Sequence, residues 1–242
     1  GRFGAALESG LDNSPMYDDI PFDPDKNCLE LADAGLMSLF VMDCLALAEI
    51  ADALERSEEA AVLQKDAKRF GHNLQLLWDE DAGIFRNLRT DTRRFSERLS
   101  PANFYPMLTP YITRRQAQRM LQEHLYNPEE FWGEWILPSI ARNDPAYPEQ
   151  DYWRGRIWAP MNFLVYLGLR KQGLQGAGKQ LADRSAALIL KEWLAHGHVH
   201  ENYSGITGEG CDVLNSDRYY HWGGLLSFLA LMDAGLVQPS SL

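Results

Sequence analysis

The sequence lacks the features that mark several large classes of protein. Its 242 residues include 23 Lys and Arg against 34 Asp and Glu, which gives a formal net charge of −11. The basic residues are scattered among acids, whereas phosphate binding requires clustered Lys and Arg, so nucleic acid is not an expected partner. No uncharged apolar run of about 18 residues occurs, and the first residues lack a signal-peptide pattern, so no contact with a membrane is expected.

Cysteine is also scarce. Cys28, Cys44 and Cys211 are an odd number of thiols without metal-type spacing. If one helix contains Cys28 and Cys44, a rise of ~1.5 Å per residue separates them by about 24 Å, too far for a disulfide. Buried thiols are therefore expected, and they favour a reducing compartment such as the cytoplasm.

Helical periodicity dominates the chain, and strand signals are few. The roughly seven predicted helices lie at 28–54, 58–78, 101–108, 113–125, 157–169, 181–193 and 219–234; short strands are predicted at 84–85 and 198–200. The segments 28–54 and 157–169 are apolar on nearly every face and are expected to be buried on all sides, whereas 58–78 and 181–193 carry one apolar stripe. This alternation predicts two concentric helical rings. No linker divides the chain, so residues 1–242 are predicted to form a single domain.

Three long loops, at 7–27, 127–153 and 196–218, are rich in turn formers and aromatic residues. Loops of this length in a compact domain are usually functional or disordered, and their aromatic content argues against disorder. The first contains ESGLDNSP at 8–15, which has two carboxylates but is also ordinary turn chemistry. The third contains HENY at 200–203, an acid between hydrogen-bonding and aromatic groups.

The middle loop ends in YWRGRIWAPMN at 152–162, where two Trp and two Arg precede an apolar helix. Core packing would explain the Trp residues, and an ion pair would explain one Arg. Aromatic rings stacked on sugar C–H surfaces, with Arg and Asn binding hydroxyls, would explain all of them. The segment therefore favours a carbohydrate site.

These three segments together resemble glycoside hydrolase family 63 and its trehalase relatives over nearly the whole chain. The resemblance makes Asp12 the general acid and Glu201 the general base of an inverting glycosidase, which acts on an α-glucoside or α-mannoside. Glycerate glycosides are included among these substrates. It also implies substrate contacts from Glu8, Asn13, Tyr152, Trp153, Arg154, Arg156, Trp158, Asn162, Tyr203 and Trp222.

The same resemblance implies an all-α fold, the (α/α)6 toroid of six inner and six outer helices. Asp12 lies near the first residue, and about seven helices follow it. We therefore expect this chain to lack the N-terminal half of the toroid. That missing half is the expected protein partner of this chain. No metal or other cofactor is expected, because two carboxylates suffice for glycoside hydrolysis.

Other interpretations remain open at this level. His196, His198 and His200 alternate and could form a metal triad, and the turn at 79–83 has part of a calcium-loop pattern. The two arginines could bind a carboxylate such as glycerate, or could hold carboxylates of the protein itself. A sugar epimerase on the same toroid and a non-enzymatic helical scaffold are the alternative functions.

Overall fold

The computed structural model describes residues 1–237. Within this range there are seven α-helices: α1 (Arg2–Leu7), α2 (Ala34–Ala53), α3 (Ser57–Leu74), α4 (Arg114–Arg119), α5 (Ala159–Lys171), α6 (Gln175–His196) and α7 (Leu225–Asp233). Segments of 3-10 helix lie at Pro15–Tyr17, Gln75–Leu77, Pro101–Leu108, Tyr147–Glu149 and His221–Gly224, and a π-helical turn, Met120–Leu125, continues α4. The predicted helical class is confirmed.

The strands of the described range are short and pair only in twos. The antiparallel pairs are β1 (Phe22–Asp23) with β2 (Cys28–Leu29), β3 (Leu31–Ala32) with β6 (Leu88–Arg89), and β4 (Trp78–Asp79) with β5 (Ile84–Phe85). The strand predicted at 84–85 is confirmed. The strand predicted at 198–200 is wrong, because that segment makes only one isolated bridge, between His200 and Arg218.

The first long helix begins later than predicted. Residues 28–32 form β2 and β3, and α2 starts where Asp33 Oδ1 accepts a hydrogen bond from the Leu36 backbone amide at 3.0 Å. An N-cap of this kind satisfies an amide that has no partner inside the helix. Cys28 and Cys44 therefore do not share a helix, although both are free thiols; Cys44 is buried as expected and Cys28 is exposed.

Helix α2 is not buried on all sides, which corrects the expectation from its composition. Its fully buried positions are mostly small: Ala34, Gly35, Ser38, Val41, Cys44, Ala48 and Ala51. Four large side chains of α2 and its C-cap Leu54 are exposed on one face, which the exposed Asp43 interrupts: Leu36, Phe40, Leu47, Ile50 and Leu54. Small residues allow close packing against the adjacent helices, so they occupy the buried side. By length and apolar composition alone, α2 is also the one helix of residues 1–237 that could cross a membrane.

The helices pack against one another as a connected series of neighbours. Helix α2 packs on α3 and on the 101–108 segment, which also contacts α5, and α7 packs against both α5 and α6. The single stripes predicted for α3 and α6 are confirmed for most of their members, but Trp193 of α6 is half exposed and Glu192 is buried instead. The capping box predicted at Thr113 is present, with reciprocal hydrogen bonds between Thr113 and Gln116.

Hydrogen bonds join the three long loops to one another. Helix α5 begins at Ala159, two residues after the predicted start, because Ile157 pairs with Tyr203 through backbone hydrogen bonds of 2.7 and 3.0 Å. That bridge joins the middle loop to the third loop. Side-chain hydrogen bonds from Asn13 join the first loop to the middle one.

Candidate active site

Asn13 fixes the first loop against the middle loop. Its Nδ2 donates to the backbone oxygen of Asp151 at 3.2 Å and to Oδ2 of Asp151 at 3.3 Å, while its Oδ1 accepts from the Trp153 amide at 2.9 Å. Arg154 Nη1 donates to the Asn13 carbonyl at 3.2 Å. Asp12, the preceding residue, is thereby held beside the middle loop, and its side chain is partly exposed.

Glu201 lies in the third loop, is 4% exposed and accepts two hydrogen bonds. Its Oε1 accepts from the Tyr152 hydroxyl at 2.9 Å, and its Oε2 accepts from the Asp217 amide at 2.8 Å. The Glu201 backbone amide in turn donates to the Asp217 carbonyl at 3.2 Å. An ionised carboxylate is an acceptor on both oxygens, so these donors suit that form of the side chain.

The hydroxyl of Tyr152 lies against Glu201. Burial raises the pKa of Tyr152, and its hydrogen bond to Glu201 and the negative charges of Glu201 and Asp12 add to this shift. Asp12 directly precedes Asn13, which binds the middle loop next to Tyr152, so the first, middle and third loops are joined here. The catalytic roles of Asp12 and Glu201 stay predictions.

The backbone of Tyr152 is in the left-handed region, with φ of 56°. A non-glycine residue rarely adopts this conformation, which persists only where the surroundings enforce it, often at functional sites. Here the Trp158 indole donates to the Tyr152 carbonyl at 2.9 Å, and Asn13 holds the next amide. The strained turn directs the Tyr152 side chain to Glu201.

The aromatic rings of four residues pack against one another at this site. Trp153 lies parallel to Trp158 with ring centroids 3.7 Å apart, while Tyr152 and Trp222 meet Trp158 edge-on at 4.7 and 5.7 Å. Trp158 is fully buried. It contacts the rings of Tyr152, Trp153 and Trp222, of which Tyr152 and Trp222 are partly exposed and Trp153 is 4% exposed.

Arg154 uses all five of its N–H donors on the protein. Nε and Nη2 donate to the two oxygens of Glu149, Nη1 and Nη2 donate to the two oxygens of Asp18, and Nη1 also reaches Asn13. These hydrogen bonds to Glu149 and Asp18 raise the pKa of Arg154. The geometry favours a positioning role for Arg154, because no donor is left for a ligand.

Arg156 has a different environment. It is 7% exposed and donates to the Gln150 carbonyl at 2.7 Å, to Asn202 Oδ1 at 3.2 Å and to Asn215 Oδ1 at 3.4 Å. None of these partners is a carboxylate, and in the described part of the chain Arg156 makes no ion pair. A buried guanidinium paired only with neutral acceptors is suited to binding an anionic group.

The other predicted contact residues differ in their access to solvent. Asn162 and Tyr203 are fully buried. The Asn162 amide bonds to the backbone of Leu137 and Trp158, while burial raises the pKa of Tyr203 to about 12. These two side chains hold the loops together. Glu8 is exposed at the end of α1.

Sequence reasoning missed several residues that build the site. Asp151 accepts hydrogen bonds from both Asn13 and Asn215, and its place directly before the Tyr-Trp-Arg-Gly segment was a usable signal. Asp217 acts through its backbone amide, for which sequence carries no signal. Two groups in the described range could hold a metal ion, Glu192–His196–His200 and His198–His200–Asp212, and neither includes Asp12 or Glu201.

Comparison with known proteins places this geometry in context. Residues 4–223 match the family described as the mannosylglycerate hydrolase MGH1-like glycoside hydrolase domain. A mannosylglycerate hydrolase from Thermus thermophilus is 28% identical over 140 residues, which is 57% of this chain and 31% of the relative. A cytosolic neutral trehalase from Kluyveromyces lactis is 30% identical over 143 residues, covering 57% of this chain and 18% of the relative.

The fold has a close match among solved structures. The crystal structure of a family 63 mannosylglycerate hydrolase from Thermus thermophilus in complex with glucose superimposes with a TM-score of 0.78 and 22% identity. The superposition covers 94% of this chain and 62% of that one. This likeness confirms the predicted (α/α)6 toroid as the fold, and the matched region spans about a third or less of the curated relatives.

Proposed function

This chain belongs to the MGH1-like glycoside hydrolase family, in agreement with the resemblance found in its motifs, and we propose that it carries the catalytic centre of an inverting glycosidase. The observation that carries the proposal is the hydrogen bond from the Tyr152 hydroxyl to the buried Glu201, in a loop that is held by Asn13, the neighbour of Asp12. Two carboxyl groups at one site, one partly exposed and one buried with two donors, suit the division of labour in glycoside hydrolysis.

The proposed mechanism assigns one proton transfer to each carboxyl group. Asp12 protonates the glycosidic oxygen, while ionised Glu201 removes a proton from the water that attacks the opposite face of the sugar ring. The Tyr152 hydroxyl and the Asp217 amide hold Glu201 as an acceptor and orient it. Inversion requires about 6.5–9.5 Å between the carboxyl groups, which leaves room for that water.

The proposed substrate is an α-mannoside or α-glucoside, and glycerate is the preferred aglycone. Tyr152 and Trp222, which are partly exposed, offer aromatic surfaces for the sugar ring, and Arg156 is the anion-binding group for a glycerate carboxylate. A buried guanidinium that lacks a carboxylate partner supports this choice. The names of the related hydrolases, which include a mannosylglycerate hydrolase and a trehalase, agree with it.

We further propose that residues 1–242 are one part of a single catalytic toroid, whose remaining helices are the partner of this chain. The apolar stripe on α2 supports this, because five large side chains are exposed on one face with a single charge, Asp43, among them. Exposed apolar patches usually mark a site of contact with other protein.

The proposed mechanism is tested by the anomer that is released first. An α-linked substrate, either mannosylglycerate or α,α-trehalose, is mixed with the active enzyme in deuterated buffer, and proton spectra are recorded within minutes, before mutarotation. We expect β-sugar as the initial product. Initial α-sugar would assign a retaining mechanism and would remove Glu201 from the role of general base.

A further inference from the structure

A histidine cluster lies next to the third loop, outside the proposed catalytic pair. Its ring centroids are close together: His196 and His200 are 5.4 Å apart, and His198 and His200 are 4.4 Å apart. Glu192, one turn before His196 on α6, is 2% exposed and faces the same point. The residues assigned to sugar cleavage and sugar binding do not account for this cluster.

The distances within one triad fit a metal ion better than hydrogen bonds. Glu192 Oε2 lies 3.6 Å from His196 Nε2 and 3.5 Å from His200 Nε2. An N–H···O hydrogen bond is about 2.7–3.2 Å long, so both separations are too large. Tetrahedral zinc with bonds of about 2.0–2.1 Å places neighbouring ligand atoms roughly 3.3–3.4 Å apart. The three ligand atoms all lie within 4.8 Å of one another.

His200 has an unsatisfied nitrogen that is directed into this triad. The ring is 1% exposed, its Nδ1 lies 2.7 Å from Asp212 Oδ1, and its buried Nε2 has no hydrogen-bond partner. Because a carboxylate only accepts, Nδ1 carries the proton, and the lone pair of Nε2 then faces Glu192. A histidine that donates its other N–H to a carboxylate is the usual arrangement of a metal ligand.

The alternative triad is less suited to a cation. Both ring nitrogens of His198 already face oxygen acceptors, the His196 carbonyl at 3.0 Å and Asp212 Oδ2 at 3.0 Å. Asp212 Oδ2 also lies 3.1 Å from Nε of Arg218. Neither His198 nor Asp212 therefore directs an unused lone pair at an open position, whereas His196 is half exposed and leaves one side of the first triad accessible.

Local backbone geometry builds the first triad. Gly197 ends α6 with φ of 72°, which turns the chain back so that His200 lies beside the last helical turn. Gly210 contacts the His200 ring so closely that a Cβ there would lie 2.2 Å from it, and its amide donates to Glu192 Oε2 at 2.8 Å. Partial negative charge at the end of α6 further favours a cation.

One neighbouring cation acts against this binding. Lys191 Nζ lies 2.7 Å from Glu192 Oε1, the oxygen that does not face the histidines. The Gly210 amide donates to Oε2 at 2.8 Å, which leaves that oxygen one further lone pair for a cation.

We propose that Glu192, His196 and His200 bind one divalent ion of the zinc type, which ties the end of α6 to the segment that carries Glu201. Two imidazoles and one carboxylate are an established ligand set for zinc and leave a fourth position for water. The ion is separate from the proposed hydrolysis, since none of the three ligands is a proposed catalytic residue. The proposal does not depend on the glycosidase assignment.

The test measures metal binding by the chelator-treated chain. Isothermal titration with Zn²⁺ should give one equivalent, and Co²⁺ should give the visible absorption of a tetrahedral site with nitrogen and oxygen ligands. His196→Gln, at a half-exposed position where folding is not at risk, should remove both signals, and Glu192→Gln should do the same. His72→Gln is the matched control, because that histidine is exposed on α3, and it should bind as the unmodified chain does.

Two results would overturn the proposal. The first is an unmodified chain that takes up no Zn²⁺. The second is full binding by the folded His196→Gln variant. If binding is kept in that variant and lost in His198→Gln, the ion is assigned to His198, His200 and Asp212 instead. Because none of these measurements uses hydrolysis, failure of the proposed glycosidase function would not affect them.

Discussion

The hydroxyl of Tyr152 donates a hydrogen bond of 2.9 Å to Oε1 of Glu201 across a sequence separation of 49 residues. The donor is aimed by a left-handed backbone turn, which Asn13 and Trp158 brace from opposite directions. The buried carboxylate and its donor thus belong to different loops, and both depend on the first loop, which also carries Asp12. The arrangement leads to specific expectations for variants.

Removing either carboxyl group should abolish hydrolysis. Asp12→Asn and Glu201→Gln each eliminate one required proton transfer, so kcat of the active enzyme should fall by at least about 10²–10⁴-fold with the melting temperature little changed. Asp25→Asn and Glu58→Gln, at exposed positions, are the matched controls. Near-normal turnover by either active-site variant would exclude that residue from the mechanism.

Tyr152→Phe should weaken catalysis without abolishing it. The Glu201 carboxylate loses one of its two donors, and a hydrogen bond to a charged group contributes about 1.5–3 kcal/mol, so kcat/KM should fall by about tenfold to a hundredfold. Tyr111→Phe is the control, and an unchanged kcat/KM in Tyr152→Phe would argue against the link to Glu201.

The two arginines should differ in their effect on substrate choice. Arg156→Lys should raise KM for mannosylglycerate far more than for α,α-trehalose, which has no carboxylate, because a planar guanidinium is lost from the anion site. Arg154→Lys breaks contacts to Glu149, Asp18 and Asn13, so it should lower activity on both substrates alike and lower the melting temperature. Equal substrate effects from both variants would contradict the assignment of Arg156.

His124 should give the fold a pH-dependent stability. Burial lowers the pKa of His124, but its hydrogen bonds to Glu130 and the Ala82 carbonyl, both 2.7 Å, outweigh this and raise it. A histidine whose pKa is raised on folding stabilises most below its unfolded value of about 6.5, and the effect fades as pH rises through the folded value.

Urea unfolding of the unmodified chain and of His124→Gln, measured from pH 5.5 to 9, tests this expectation. The difference in the free energy of unfolding should be largest at the acidic end and should shrink toward pH 9. The exposed His72→Gln serves as the control. A difference that grows with pH would show that the sign is wrong.

The apolar stripe on α2 should make the isolated chain self-associate. Leu47 and Ile50, 42% and 55% exposed, lie among five large apolar side chains on one face. Leu47→Glu should reduce the apparent mass in light scattering, because it adds a second negative charge beside Asp43 to the apolar stripe. Leu76→Glu, at a 71% exposed leucine outside the stripe, should not. A monomeric unmodified chain would show that the stripe is not an association surface.

Periodicity and capping chemistry determined much of the local structure from the sequence. The stripes of α3 and α6, the capping box at Thr113 and the strand at 84–85 all follow from residues close together in the chain. The local sequence pattern did not predict which face of α2 is buried, because apolar residues occur on every face of that helix. In the structure, tertiary packing buries the face with the small residues.

The sequence by itself also determined where carboxylates, aromatics and turn formers concentrate, which is in the three long loops, and the resemblance of those loops to family 63 motifs made Asp12 and Glu201 the candidates. Only the tertiary structure decided what each polar group touches. Arg154 forms ion pairs with Glu149 and Asp18, whereas Arg156 is not paired with a carboxylate. The two arginines are only two residues apart in the sequence. The physical reason is that hydrogen bonds and ion pairs form between residues far apart in the chain, so their partners exist only once the loops have been brought together.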